Sequence, residues 1–443
     1  MIADEQDIPV LPESDVPSAD PFAVFRHQTL PRWALVRHRL DAEEIADVEA
    51  AVAAAWSSVA DRIVPGQRVC LAVGSRGIDR IAEVTRAAVS AARAAGAEVF
   101  VVPAMGSHGG ATAAGQLEVL ASLGITPASI GCEIRSSMET VRVGEVDSRI
   151  PVFFDRHALE EADAVVPINR VKPHTDFSGP VESGLLKMIA IGLGKQRGAD
   201  TFHAEGFATF AELIPAVAAY TLSRVNIPFG LALVENGRSR LRRIEAVAAE
   251  SIWDRERELR NEADGFLARL PMAALDVLVL DRIGKDVSGL GMDSNVVGRY
   301  YTGPTGHGPA IQRIVVRDLT DATEGNAVGI GMADVAVRRA VDRMDAAKTY
   351  MNCITAKTPE GARVALTVET DRQAVDVALA CCIKVDPAVA RIARILDTKH
   401  LDWLWASEPL LAELVAGGAC EVVDGPRTIG FDADGGFTDG WPK

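Results

Sequence analysis

The chain lacks the features that mark a membrane-spanning, nucleic-acid-binding or disulfide-stapled protein. No apolar run approaches the roughly 18 to 20 residues that a membrane-spanning helix needs. Ala-rich stretches such as residues 45–59 are interrupted by Asp47, Glu49 and Ser57. The N-terminus is acidic and contains proline, without the basic start and apolar core of a signal peptide. Residues 1–20 are therefore expected to form an extended arm, and the expected location is cytoplasmic. Basic residues are outnumbered, 46 against 61 acidic ones, giving a net charge of −15, and no basic, aromatic-interleaved patch offsets it. That balance argues against nucleic acid and anionic membrane as partners. Six cysteines show no CxxC spacing and read as buried free thiols of a reducing compartment. Walker A, GxGxxG and HExxH patterns are missing as well, as are low-complexity repeats.

What remains is an apolar chain of 443 residues, 48% hydrophobic, long enough for one large or two medium cores. Residues 68–73 (RVCLAV) read as a short buried strand, followed by a Gly-Ser-Arg-Gly turn and a helix over residues 79–95 that Gly96 closes. Residues 98–103 (EVFVVP) repeat the unit, running into Met105-Gly-Ser-His-Gly-Gly110 and a helix over residues 112–123. Strands alternating with helices predict parallel sheets whose ligands sit beyond the carboxyl ends of the strands. Further strands are expected at 151–154, 164–167 and 230–234, with helices at 41–61 and 244–259. After Pro271 come strands at 275–280, 311–316 and 363–367 and helices at 332–344, 372–382 and 409–415. The expected fold is α/β: two α/β domains with parallel or mixed sheets and an active site in the cleft between them. Residues 21–270 form the first domain, to which residues 400–443 return. Residues 271–399 form a smaller second one, and the Gly/Asp-rich tail after Pro426 is expected as a peripheral loop.

Histidine is scarce, eight in 443, yet two fall between Lys172 and His203, beside an apolar segment that carries Lys187. Proton transfer or metal binding is the use that such clustering suggests. His108 lies at one strand's carboxyl end among glycines that leave its ring uncrowded, and His174 follows Lys172-Pro173 at another. Ser178, Gly179, Ser183 and Gly184 offer backbone N–H groups suited to a phosphate, although Ser183 reads equally well as an ordinary helix cap. Lys187, inside LLKMIAIGLG, must snorkel, pair or lose its charge, which favours covalent or base chemistry. Lys195 competes for that role but sits beside Gln196 and Arg197 and reads as solvated. His203 is sixteen residues beyond Lys187, too far for a metal pair on one helix turn, and His307 lies in a Gly/Pro loop. Arg76 and Lys285, cations in Gly-rich loops, suit a carboxylate or a phosphate, or pair with Asp79 and Asp286.

Taken together, GSRG, MGSHGG, KPH, the FSG–GLLK–H run and IGKDVSGLGMDSNVVGR resemble the nickel-pincer nucleotide-dependent lactate racemase family of 2-hydroxyacid racemases and epimerases. The resemblance spans about residues 68–401 and is most specific over 106–203. It implies a nickel-pincer nucleotide tethered to Lys187, with His203 as the nickel ligand. It further implies His108 and His174 as the two acid/base groups, with Arg76, joined by Lys285, on the substrate carboxylate. The implied partners are a 2-hydroxy acid and the proteins that build the cofactor, and a homo-oligomer stays open. The chain departs from the family pattern at Val73, where an acidic residue is usual, and at Leu185-Leu186, which replace a tight Gly-Gly-x-Lys turn. A divergent subgroup acting on another 2-hydroxy acid, such as a polyol or sugar acid, is expected, with Asp293, Asn295 and Arg299 lining its cleft. Two alternatives stand beside this: a non-catalytic nucleotide- or cofactor-binding homologue, and a nucleotide-dependent α/β oxidoreductase using Lys187 as a base.

Overall fold

Two successive apolar strands with glycine-rich exits set the first sheet. The computed structural model describes residues 22–74, 77–301 and 308–442. The expected arm at 1–20, Arg76 and His307 lie outside those residues. In chain order the first strands are β1 (Trp33–His38), β2 (Arg68–Val73), β3 (Glu98–Pro103) and β4 (Glu133–Ile134). A hairpin of β5 (Thr140–Val146) and β6 (Ile150–Asp155) follows, then β7 (Ala164–Arg170), β8 (Phe229–Glu235) and β9 (Leu241–Ala248). The remainder are β10 (Ala274–Leu280), β11 (Ala310–Val316), β12 (Val335–Val337), β13 (Leu366–Val368) and β14 (Ile392–Ile395). The chain ends with β15 (Trp403–Ser407) and β16 (Cys420–Arg427).

The first sheet runs β4-β3-β2-β7-β8-β9, parallel except for β9. Both faces are covered, which is why its central strands are continuously apolar. Val69, Leu71 and Val73 pack with the helices Val48–Ser57 and Ile81–Ala94. Cys70 and Ala72 face the other way, toward Leu185, Ile189 and Phe210. The segment with Lys187 thus lies against the sheet's second face. Its helix, Leu185–Lys187, widens into a π-helical turn, Met188–Gly192, before the helix Lys195–Glu205.

The second sheet runs β13-β12-β11-β10-β14-β15-β1-β16. Here the structure departs from the expected domain limits. Residues 400–443 do not return to the first sheet, and β1 does not belong to it. Instead β1 lies between β15 and β16, antiparallel to both, with Trp33 opposite Ser407. An aromatic cluster accounts for the arrangement: the Trp33 ring stacks on Trp405 at 5.2 Å and on Phe437 at 5.4 Å. The tail is likewise no loose loop, since Asp439 accepts from Trp33 Nε1 at 3.0 Å and Trp441 donates to Asp281 at 2.7 Å.

Other differences are local. Residues 151–154 form one arm of the antiparallel hairpin rather than a strand of the parallel sheet. The expected helix at 244–259 divides into β9 and the helix Ile252–Phe266, and residues 332–344 contain β12 before the short helix Arg338–Asp342. Apolar periodicity alone does not distinguish these cases over such short stretches. Among the described residues, no helix is long and apolar enough to cross a membrane.

Candidate active site

The carboxyl ends of β2, β3 and β7 open into a cavity of about 250 Å³ between the two sheets' lobes. Five separately read residues meet there: His108, His174, Lys187 and His203 from the first lobe and Lys285 from the second. Ser183 joins them, and Gly74, two residues before Arg76, lines the same wall.

His174 is held by five contacts. Its backbone N–H donates to Glu182, its carbonyl accepts from Asn295 Nδ2 at 3.0 Å, and its ring lies 4.5 Å from that of Phe177. Nδ1 accepts from the backbone N–H of Asp176 at 3.0 Å, and Nε2 lies 2.5 Å from Lys187 Nζ. His203 sits among Phe207 and Phe210, with ring centroids at 5.5 and 5.8 Å. Burial, followed by the charge of Lys187, lowers its pKa and keeps the ring neutral. Its Nδ1 is buried and has no hydrogen-bond partner among the described residues.

His108 is exposed at the cavity mouth on a loop whose backbone is fixed from beneath. Gln116 Nε2 donates to the carbonyls of Gly106 at 2.9 Å and His108 at 3.4 Å. Gly109 is required here, because it has φ +68° and a Cβ would lie 2.5 Å from the Gly115 carbonyl carbon. The anchor continues to Lys195, which the sequence suggested was solvated. Lys195 is 0% exposed, as is Asp155, whose carboxylate lies 2.9 Å from its ammonium. Its Nζ also donates to Gln116 Oε1 at 3.2 Å and to the Pro103 carbonyl. The polar neighbours in sequence had suggested solvent, but the left-handed backbone at Lys195, φ +52°, turns this residue inward.

The expected phosphate cradle has its donors engaged elsewhere. Ser178 Oγ and the Gly179 N–H reach Glu182, a carboxylate 2% exposed that also pairs with Arg260 at 2.6 Å. The helix start at Gly184 is capped by Glu256, from the helix Ile252–Phe266, with Leu186 N–H donating at 3.0 Å. Gly184 is needed because a Cβ would lie 2.3 Å from Glu256 Oε1. Ser183 does not cap this helix. It bridges Lys172 in extended pairing. Neither Glu182 nor Glu256 stood out in sequence, since each acts on a segment far away or facing inward.

From the second lobe, Lys285 Nζ donates to the Gly289 carbonyl at 2.7 Å. Asp293 Oδ2 lies 3.7 Å from Lys172 Nζ, and Asn295 makes the bond to His174 already described, so both tie the lobes together. Arg299 does not line the cleft. Gly298, with φ +66°, ends the short helix and turns the chain away, leaving Arg299 paired with Asp334 at 2.6 Å beside a separate depression.

No family model and no curated protein matches the chain. Among solved structures, the lactate racemase apoprotein from Thermoanaerobacterium thermosaccharolyticum is similar, with 13% sequence identity and a TM-score of 0.51. The similarity covers 83% of this chain and 98% of that one. The fold is lactate-racemase-like. Within that fold the cavity lies where open α/β sheets place their ligands, beyond the carboxyl ends of parallel strands.

Proposed function

We propose that the chain is a racemase or epimerase of a 2-hydroxy acid that uses a nickel-pincer nucleotide. The observation carrying this reading is the meeting of His108, His174, Lys187 and His203 on one cavity. The donor set suits the group. Among the described residues no three His, Cys, Asp or Glu side chains cluster as metal ligands, so a metal here would need donors from a bound organic group. Lys187 would anchor that group covalently, and His203, neutral and with an orphaned buried nitrogen, would supply the protein's imidazole. When bound, the group supplies hydride acceptance and return at the substrate's C2.

The chain's own residues do the rest. A covalent tether on Lys187 would take its amine away from His174 Nε2, leaving that nitrogen to hydrogen-bond the substrate hydroxyl. His174 and His108 each hold the 2-hydroxyl proton on one side of the carbon, which inversion without net redox change requires. Lys285 orients the carboxylate, a role that the family resemblance also gives to Arg76. The test is a chiral-chromatography screen of optically pure 2-hydroxy acids with nickel-loaded protein. At least one acid should lose optical purity, and His108→Ala and His174→Ala should each slow this by about 100-fold or more. Full retention of optical purity across the screen would refute the reading.

A further inference from the structure

The helix Ile252–Phe266 carries two inward-facing charged side chains, Glu256 and Arg260. Their spacing of one turn sets both on one face. Each grips a different segment of the site. Glu256 accepts from the Leu186 N–H at 3.0 Å, in the turn that carries Lys187. Arg260 pairs with Glu182 at 2.6 Å, and Glu182 gathers the loop of His174. It accepts from the His174 N–H, from the Gly179 N–H at 3.0 Å and from the Ser178 hydroxyl at 3.3 Å. The two segments held in this way are those whose side chains meet, Lys187 Nζ lying 2.5 Å from His174 Nε2. As a source of stability a buried ion pair roughly breaks even, because desolvation offsets the attraction. Direction is what this pair supplies, since three donors of one loop converge on a carboxylate that the helix fixes.

The other end of the helix is where the chain leaves the first lobe. Among the described residues the chain crosses between the lobes at 39–47 and at 267–273. The second crossing continues directly from Phe266, and Ala268, Leu270 and Met272 already belong to the second lobe's core. The crossings lie side by side. Arg242 stacks over the Phe266 ring at 4.1 Å and pairs with Glu43 at 2.6 Å. Gly237 lies against both, since a Cβ there would be 3.1 Å from the Phe266 carbonyl oxygen and 3.2 Å from Leu40 Cβ. The second lobe then returns to the same histidine, where Asn295 Nδ2 donates to the His174 carbonyl at 3.0 Å. His174 is thus gripped at its N–H from the helix and at its C=O from the lobe into which the helix leads.

We propose that this helix is the positioning element of the site: Arg260, through Glu182, and Glu256 set where His174 and Lys187 stand, and the linker that continues the helix ties their placement to the seating of the second lobe. The proposal rests on the racemase or epimerase reading for the tasks of His174 and Lys187. The contacts of the helix are independent of that reading.

The first test needs no cofactor. Hydrogen exchange of the cofactor-free chain, followed by mass spectrometry, should show residues 172–187 exchanging about tenfold faster or more in Arg260→Met while β2 and β3 keep their protection. Arg260→Lys should restore most of the loss. Arg242→Ala, which releases the end of the helix from the neighbouring crossing, should speed the same segment by about threefold. Because Arg260→Met leaves Glu182 buried and unpaired, Arg260→Met with Glu182→Gln replaces it if the single variant does not fold, and the same local loss is expected. The second test uses nickel-loaded protein and a 2-hydroxy acid that it turns over. There kcat should fall about 10- to 100-fold in the Arg260 variant, with KM within about twofold. Unchanged exchange at 172–187 in the folded variant, equal acceleration in β2 and β3, or an unchanged kcat overturns the positioning role. No effect of Arg242→Ala overturns the tie to the second lobe. Local acceleration in a chain whose unmodified form turns over no 2-hydroxy acid supports the hold of the helix and overturns the racemase reading.

Discussion

At the residue scale, the unexpected element of the site is a buried charge. Lys195 and Asp155 are both fully buried and lie 2.9 Å apart, and the lysine reaches the His108 loop through Gln116. Removing one member of such a pair leaves an uncompensated buried charge, which costs about 3–5 kcal/mol, whereas replacing both with apolar groups is often close to neutral. Lys195→Met should therefore lower the denaturant midpoint sharply, and Lys195→Met with Asp155→Leu should recover most of the loss. If the double variant is no more stable than the single one, the pair is not the source of the effect. His108, His174, Lys187 and His203 were legible in sequence because chemically distinctive side chains stood among glycines or apolar residues. Lys195 was misread because its partner lies forty residues away on a hairpin, and Arg299 because nothing local showed that Gly298 turns the chain.

At the scale of elements, the helix that presents Lys187 depends on a carboxyl group from another helix. Glu256 is 1% exposed, and burial pushes its pKa up to about 7 from an ordinary 4.5, against the opposing effect of the Leu185 and Leu186 N–H groups. The folded chain therefore holds this proton where the unfolded chain has released it. Stability contributed by the neutral form is complete below pH 4.5 and is lost as pH rises through about 7. The difference amounts to about 3 kcal/mol. Glu256→Gln should flatten the decline of Tm between pH 5 and 8 relative to the unmodified chain. An unchanged slope would mean that Glu256 ionises normally. Strands β2 and β3 were readable to the residue because they are apolar runs bounded by glycine. The β5–β6 hairpin was not, since its pairing is between neighbours that carry no distinctive turn pattern.

For the whole molecule, strand order was the least legible feature. Pairing of β1 with β15 and β16 joins residues almost 400 positions apart, Trp33 to Arg427 among them, and no local pattern encodes it. The closing segment belongs to that assembly through Phe437, Asp439 and Trp441. Removing residues 428–443 should unfold the second lobe at a lower temperature than the first, visible as a separate early calorimetric transition. A single transition at the original temperature would show that the tail is dispensable. The lobes in turn meet across His174, where Asn295 and the Lys172–Asp293 pair bring the second lobe to the cavity-lining groups of the first.

The central claim is that this meeting point holds a nickel group on Lys187. Its most direct test is intact-mass and peptide mass spectrometry, with nickel quantitation, of the chain expressed together with the cofactor-making enzymes. The account predicts one added mass on the peptide containing Lys187, about one nickel per chain, and loss of the covalent increment in Lys187→Ala. An unmodified Lys187 in a chain that racemises its substrate, or an increment that persists in Lys187→Ala, would contradict it.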